Sequence, residues 1–239
     1  MNACPGQLFF RYRNAVGPVV FLVALLIGTP TYPLGRDDLN LALDALGVCV
    51  ALLGQALRII TIGYEYIERG GRDRKVYAST LVQGGVFAHC RNPLYLGNIM
   101  LAVGIALVVH SAAFYLIVLP VVGYAYVAIV AAEEVFLQGK FGDAYRDYCR
   151  RVHRWIPRWR GWSRSVAGMR FNWRRVLVKE YNTTFVLVFA LTVVKFWADY
   201  RVRGPAVLPS GPALLFAFTC WLCGYACVRA LKKTGYVKA

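Results

Sequence analysis

The chain has 239 residues, of which 58% are hydrophobic, and its mean hydropathy is positive, an apolar share above that of ordinary water-soluble domains. Its charges are few and one-sided, 28 Lys and Arg against 12 Asp and Glu. The arginines cluster just outside apolar runs, and no zinc finger, RNA-recognition motif or helix-turn-helix pattern accompanies them, which argues against a nucleic-acid partner and assigns the excess to the membrane surface and to topology.

Crossing the hydrocarbon core takes roughly 20 helical residues. Six runs approach that length: 16–34, 39–63, 94–110, 112–132, 183–198 and 212–230. The first contains Pro18, Pro30 and Pro33, which predict a broken or kinked entry. Because Arg11 and Arg13 precede it and no small-residue cleavage site follows, it reads as a span and not as a signal peptide. The fifth run is short and carries Lys195, whose stem can carry its ammonium to the interface. With the N-terminus cytoplasmic, 23 Lys and Arg fall inside, only Arg36, Arg201 and Arg203 fall outside, and Arg58 and Lys195 stay within spans. This predicts both termini on the cytoplasmic side.

Three segments follow: a helical pair over 1–63, a core over 64–160 made of a helical hairpin and an amphipathic helix, and a basic interfacial segment with a second helical pair over 161–239. In the stretch 141–157, FGDAYRDYCRRVHRWIP, Phe141, Tyr145, Tyr148 and Val152 recur at helical spacing, the mark of an amphipathic helix able to cover one mouth of the hairpin or simply to attach to the membrane. In 154–175, RWIPRWRGWSRSVAGMRFNWRR, arginine alternates with tryptophan. This suits a segment lying among headgroups, indoles at the interface and guanidinium groups toward anionic lipid.

The seven cysteines form no disulfide framework, and Cys220, Cys223 and Cys227, on one face of a helix, read as small packing residues. His89, His110 and His153 lack zinc spacing, so no metal is expected.

The polar knot FAHCRNPLYLGN, at 87–98, opens the third run, and Glu133 and Glu134 close the fourth. Two crossings with almost no loop between them return both motifs to the same face. Pro93 suits the first turn of a helix, whose N-terminal end carries positive partial charge. Arg91, Asn92 and free backbone N–H groups there would meet an anionic ligand, with Glu133 opposite to accept from an ammonium or hydroxyl. Gly97 and Gly104, seven residues apart, let either a planar group or a neighbouring helix come close.

The motifs TLVQGGVFAHCRNPLYLG, at 80–97, and EEVFLQGKFGDAYRDYCRRVHRWIP, at 133–157, resemble the core of the isoprenylcysteine carboxyl methyltransferase and phospholipid methyltransferase superfamily. The resemblance spans about a third of the chain. With the runs above, the expectation is an all-α, polytopic membrane protein of about six transmembrane helices with a cytoplasmic amphipathic helix closing the site; the resemblance implies that it is an enzyme with S-adenosyl-L-methionine as cofactor, without a dinucleotide-type domain. It also implies roles. Thr80, Leu81, Val82 and Phe87 would line the cofactor pocket, Phe87 standing where the family pattern has Tyr. Arg91, Asn92, Pro93, Tyr95 and Gly97 would form its wall, with His89 beside them. Glu133 would hold the amino-acid or ribose part, Glu134 and Tyr145 would orient it, and Arg91 and Glu133 would be the catalytic pair. Asn92 stands where the pattern has His, so it cannot carry a proton at neutral pH. Ile129 stands one turn before the first glutamate, where the isoprenylcysteine enzymes place an arginine, which leaves the methyl acceptor open among O, N and S atoms of a membrane-embedded lipid or prenyl-type substrate. A nicotinamide-dependent membrane reductase of the sterol reductase type and a non-catalytic membrane scaffold are the competing readings.

Overall fold

The computed structural model describes residues 5–65 and 77–234. Arg69, Arg72, Arg74, Lys75 and Lys238, part of the charge count that sets the expected topology, lie outside the described residues. Among the described residues the regular structure is helical, apart from one isolated bridge between Pro30 and Ser111.

Helix α1 (Pro5–Ile27) runs through Pro18 and stops before Gly28. The first apolar run therefore does not end at residue 34 as a helix. Its last part turns away, pairs Pro30 with Ser111 and forms a short turn at Pro33–Gly35. Helix α2 (Asp37–Tyr64) begins with Asp37 and Asp38, whose negative charge suits the positive end of a helix. Helix α3 (Pro93–Val109) starts at Pro93, as expected of a residue that has no N–H to leave unpaired, and ends at His110 in the left-handed conformation. A π-helical turn, Phe114–Val118, then leads into α4 (Leu119–Phe141). Pro120 cannot donate to the preceding turn, and a widened turn accommodates the missing bond. Helix α4 continues past the apolar run, so Glu133 and Glu134 lie within it and not beyond its end. Gly142, with φ of 53°, breaks it and lets α5 (Asp143–Arg151) fold back. A one-turn α6 (Trp162–Ser165) precedes α7 (Trp173–Arg203) and α8 (Gly211–Lys233). Helix α7 begins ten residues before the predicted span at 183, because Arg174, Arg175, Lys179 and Glu180 hide its first turns from a hydropathy scan.

The side chains are distributed inside out. Leu26 is 82% and Phe216 73% exposed, whereas Arg58 is 3% and Glu180 1% exposed. Lipid is the solvent that rewards this arrangement, and the protein is an all-helical integral membrane protein. By length and composition, three helical stretches among the described residues can cross a membrane: Asp37–Tyr64, Phe114–Phe141 and Leu215–Lys233. Helix α3 is apolar but shorter, as is Gly17–Ile27.

Helices α2 and α3 form the closest pair. Gly104 meets Gly47 and Gly97 meets Gly54, so numbers rise on one helix as they fall on the other and the pair is antiparallel. At one end Ala24, Val109, Phe114 and Val194 join α1, α3, α7 and the π turn in a single core. Close by, Lys195 pairs with Asp44 (2.8 Å) and Asp199 (2.6 Å), and Asp44 also accepts from His110 (2.9 Å). At the other end Ile62, Leu94 and Val176 join α2, α3 and α7. Helix α8 leans on α7 through aromatic rings, Phe185 on Trp221 and on Tyr225, and Tyr181 on Tyr225. Cys220, Cys223 and Cys227 are exposed, so they are not the packing residues that their spacing suggested.

Candidate active site

At the end of the bundle where α3 begins, four pieces of chain meet: the segment 85–92, the start of α3, the last turns of α4, and α5 with the return segment 152–158. Adjacent residues on a helix point about 100° apart, so Glu133 and Glu134 face different partners. Glu133 Oε1 accepts from the Tyr95 hydroxyl (2.5 Å). Glu134 lies between two guanidinium groups: Arg91 Nη1 is 3.1 Å from its Oε1, and Arg154 donates through Nε (3.0 Å) and again through Nη2. The hydrogen bond to Glu134 raises the Arg154 pKa above its ordinary value. Arg91 also donates to Cys149 Sγ (2.6 Å). Its Nε is buried and has no partner among the protein atoms.

The segment carrying Arg91 is sewn to the return segment. The Arg91 N–H donates to the His153 carbonyl (2.9 Å), the Arg158 N–H to the His89 carbonyl (3.1 Å), and Asn92 Nδ2 to the Arg154 carbonyl (3.1 Å). Asn92 therefore fixes the return segment; it does not cap α3 with its side chain. The buried His89 ring has both nitrogens engaged, Nδ1 with the Arg158 carbonyl and Nε2 with the Ser165 hydroxyl (3.0 Å), and it stacks on Trp159.

Helix α5 closes the end from the side. Tyr145, Tyr148 and Val152 are buried together, with Leu81, Leu137 and Phe141 packed against them, which is the apolar face expected of an amphipathic helix. The Tyr148 hydroxyl donates to the Phe87 carbonyl (2.7 Å). Burial raises both phenol pKa values, and the charge of Glu134 adds to the effect at Tyr145.

Of the expected site residues, the geometry brings Arg91, Tyr95, Glu133 and Glu134 into one cluster, with Asn92, His89 and Phe87 fastening its walls. Leu81 packs under α5, Val82 is half-buried and Thr80 is exposed. Pro93 is buried, and Gly97 faces α2, where a Cβ would lie 2.6 Å from Arg58 Cγ. Ile129 is fully buried, so this position serves packing here. Sequence reasoning missed Arg154 and Cys149, and it did not pair Arg58 with Glu180. A lone cation inside an apolar run is a sufficient flag for Arg58.

The family model for phospholipid methyltransferases matches residues 44–144, which reach from α2 through the two glutamates of α4. That stretch is similar to the isoprenylcysteine and phospholipid methyltransferase superfamily. Two relatives, the protein-S-isoprenylcysteine O-methyltransferases of Rattus norvegicus and Mus musculus, are each 29% identical over 126 residues, 48% of this chain and 41% of theirs. The cobalt-zinc-cadmium resistance protein CzcN of Cupriavidus metallidurans is 29% identical over 155 residues, 62% of this chain and 66% of its own. The matched stretch thus spans less than two thirds of the length of these curated relatives. No solved structure matches the chain significantly.

Proposed function

We propose that the protein transfers a methyl group from S-adenosyl-L-methionine to an O, N or S atom of a membrane-embedded lipid or prenyl-type substrate. The observation that carries this reading is the unpartnered, buried Nε of Arg91, beside the Tyr95–Glu133 and Arg91–Glu134 contacts, within a stretch of the methyltransferase family. A buried guanidinium N–H without an acceptor is costly. An anionic group such as an amino-acid carboxylate supplies that acceptor, and Glu133 supplies an acceptor for an ammonium or a ribose hydroxyl, so the residues fit this donor. When bound, the donor supplies a methyl group already activated by its sulfonium.

The chain's own task is then to position and to exclude water. Glu134, pinned by Arg154, sets the plane of the Arg91 guanidinium. Tyr95 fixes the orientation of Glu133, and α5 shields the cluster with Tyr145 and Tyr148. A carboxylate acceptor needs no base, whereas an amine or hydroxyl must lose a proton. His89 has both nitrogens committed to Arg158 and Ser165, which leaves Glu133 as the better-placed recipient.

Six crossings with both termini and the site on the cytoplasmic side suit this reading. Helix α3, 17 residues or about 25 Å long, falls short of the core thickness of about 30 Å but lies against α2, α4 and α7. The exposed Arg158, Arg160, Arg164, Arg170 and Arg174 all belong to the site's end of the chain.

The test is isothermal titration of detergent-solubilised protein with S-adenosylhomocysteine and, separately, with NADPH. Wild type is expected to bind the former, with at least tenfold weaker binding in Glu133→Gln. Binding of NADPH alone moves the protein to the reductases, and binding of neither refutes the enzymatic reading.

A further inference from the structure

Arg58 lies in α2, and Glu180 lies in the first half of α7, beyond the stretch that the methyltransferase family covers. The two form a paired fork: Arg58 Nε donates to Glu180 Oε2 and Nη2 to Oε1, both at 3.0 Å. The rest of the guanidinium is turned toward one turn of α3. Nη1 donates to the Leu94 carbonyl (3.4 Å) and to Asn98 Oδ1, and the Arg58 stem fills the space that Gly97 leaves open. Nη2 also reaches Thr183 Oγ1 (3.3 Å), and Gln55 ties to Thr184 (2.9 Å) one turn further along both helices.

Placing two charges in a dry interior is expensive, and a pair of apolar residues often stabilises such a site better. What the pair provides is geometry. A guanidinium fork has fixed directions, so a carboxylate that fixes Arg58 also fixes what its other N–H groups hold. Here they hold residues 94 and 98, which bracket Tyr95, the partner of Glu133. We infer that Arg58 and Glu180 are positioning residues that clamp the first turn of α3 from behind and so set the Tyr95–Glu133 pair for the methyl donor. Helix α7 thereby contributes to the site without touching it. The inference rests on the methyltransferase reading for what is positioned, and on the contacts alone for the clamping.

The experiment compares full-length wild type, Glu180→Gln and Glu180→Asp by hydrogen–deuterium exchange without ligand, by thermal unfolding and by titration with S-adenosylhomocysteine. Glu180→Gln is expected to raise amide exchange at 94–98 at least tenfold and to leave exchange at 119–130 unchanged. Its affinity for S-adenosylhomocysteine falls about tenfold, and Glu180→Asp gives an intermediate rise in exchange and an intermediate loss of affinity. If Glu180→Gln does not fold, Glu180→Asp carries the same comparison. Unchanged exchange at 94–98 in a folded variant overturns the clamp, as does a uniform rise across α2, α3, α4 and α7, which marks a purely structural pair. Local loosening in a protein whose wild type does not bind S-adenosylhomocysteine upholds the clamp and refutes the methyltransferase reading instead.

Discussion

Gly97 and Gly104 occupy equivalent steps of the α2–α3 seam, so a methyl group added at each separates what the seam does for stability from what it does for the site. At Gly104 a Cβ would sit 2.5 Å from the Gly47 carbonyl oxygen and 2.7 Å from both Ala51 Cβ and Ala51 N, mostly backbone that cannot rotate away. At Gly97 it would sit 2.6 Å from Arg58 Cγ and 2.9 Å from the Gly54 carbonyl oxygen. Ordinary contact begins at 3.4 Å, so at Gly104 the helices must part by most of an ångström, and at Gly97 by about half an ångström with the Arg58 stem pushed aside as well. Overpacking of this kind costs about 3 kcal/mol at the upper end, and the better helix propensity of alanine returns about 1 kcal/mol. The net loss of about 2 kcal/mol corresponds to a Tm lower by about 4–8 °C for a chain of this size. Gly123→Ala is the control, since nothing lies within 4 Å of its Cβ, and it is expected to be as stable as wild type or slightly more so. Both seam variants should lose stability in a thermal-shift assay in detergent. Gly104→Ala should keep its S-adenosylhomocysteine affinity within about twofold, whereas Gly97→Ala, which displaces Arg58, should lose about tenfold, or about 1.4 kcal/mol. Equal loss of affinity in both refutes the distinction, and a Gly104→Ala as stable as Gly123→Ala refutes the packing argument.

Tyr95→Phe removes a hydrogen bond to a carboxylate that the protein makes without ligand, worth about 1.5–3 kcal/mol of stability, so Tm should fall by about 3–12 °C and titration should show weaker binding of S-adenosylhomocysteine, because Glu133 is no longer held in place. Trp173 is exposed, while Trp197 packs against the core of α1 and α3, so in single-tryptophan variants brominated lipid should quench Trp173 strongly and Trp197 weakly if the basic segment lies among headgroups. The raised phenols of Tyr145 and Tyr148 contribute stability that is fully present below their unfolded value of about 10 and is lost as pH rises further. Tm measured from about pH 7 to 9 should therefore be flat and should fall above about pH 10, with a shallower fall in Tyr148→Phe.

Most of the helices, and which residues gather in the candidate site, were legible because the signals are local. A proline at the first position starts α3, an uninterrupted apolar run makes most of α2, and tyrosines at helical spacing make α5. Glu133 and Glu134 were legible as partners of something because adjacent carboxylates beside an apolar helix need cations or water. Which cation goes to which was not. Arg154 reaches Glu134 only because Gly142 turns the chain back and the 89–92 segment binds the return segment through its backbone, and neither event leaves a periodic trace.

Helix α7 shows the same limit from the other side. A hydropathy window reads Arg174, Arg175, Lys179 and Glu180 as solvated, and so delays the helix to residue 183. Glu180 is compatible with membrane depth once it has Arg58 opposite it, because a compact pair with its donors and acceptors satisfied presents little net charge to its surroundings. An isolated Arg58 in α2 and an isolated Glu180 in α7 each count against a span. Taken together they mark where α2 and α7 touch. The place where composition fails to predict the fold is therefore also where the helices beyond the family core are joined to the site, which makes the loss of this pair more informative about function than the loss of any one apolar contact in the bundle.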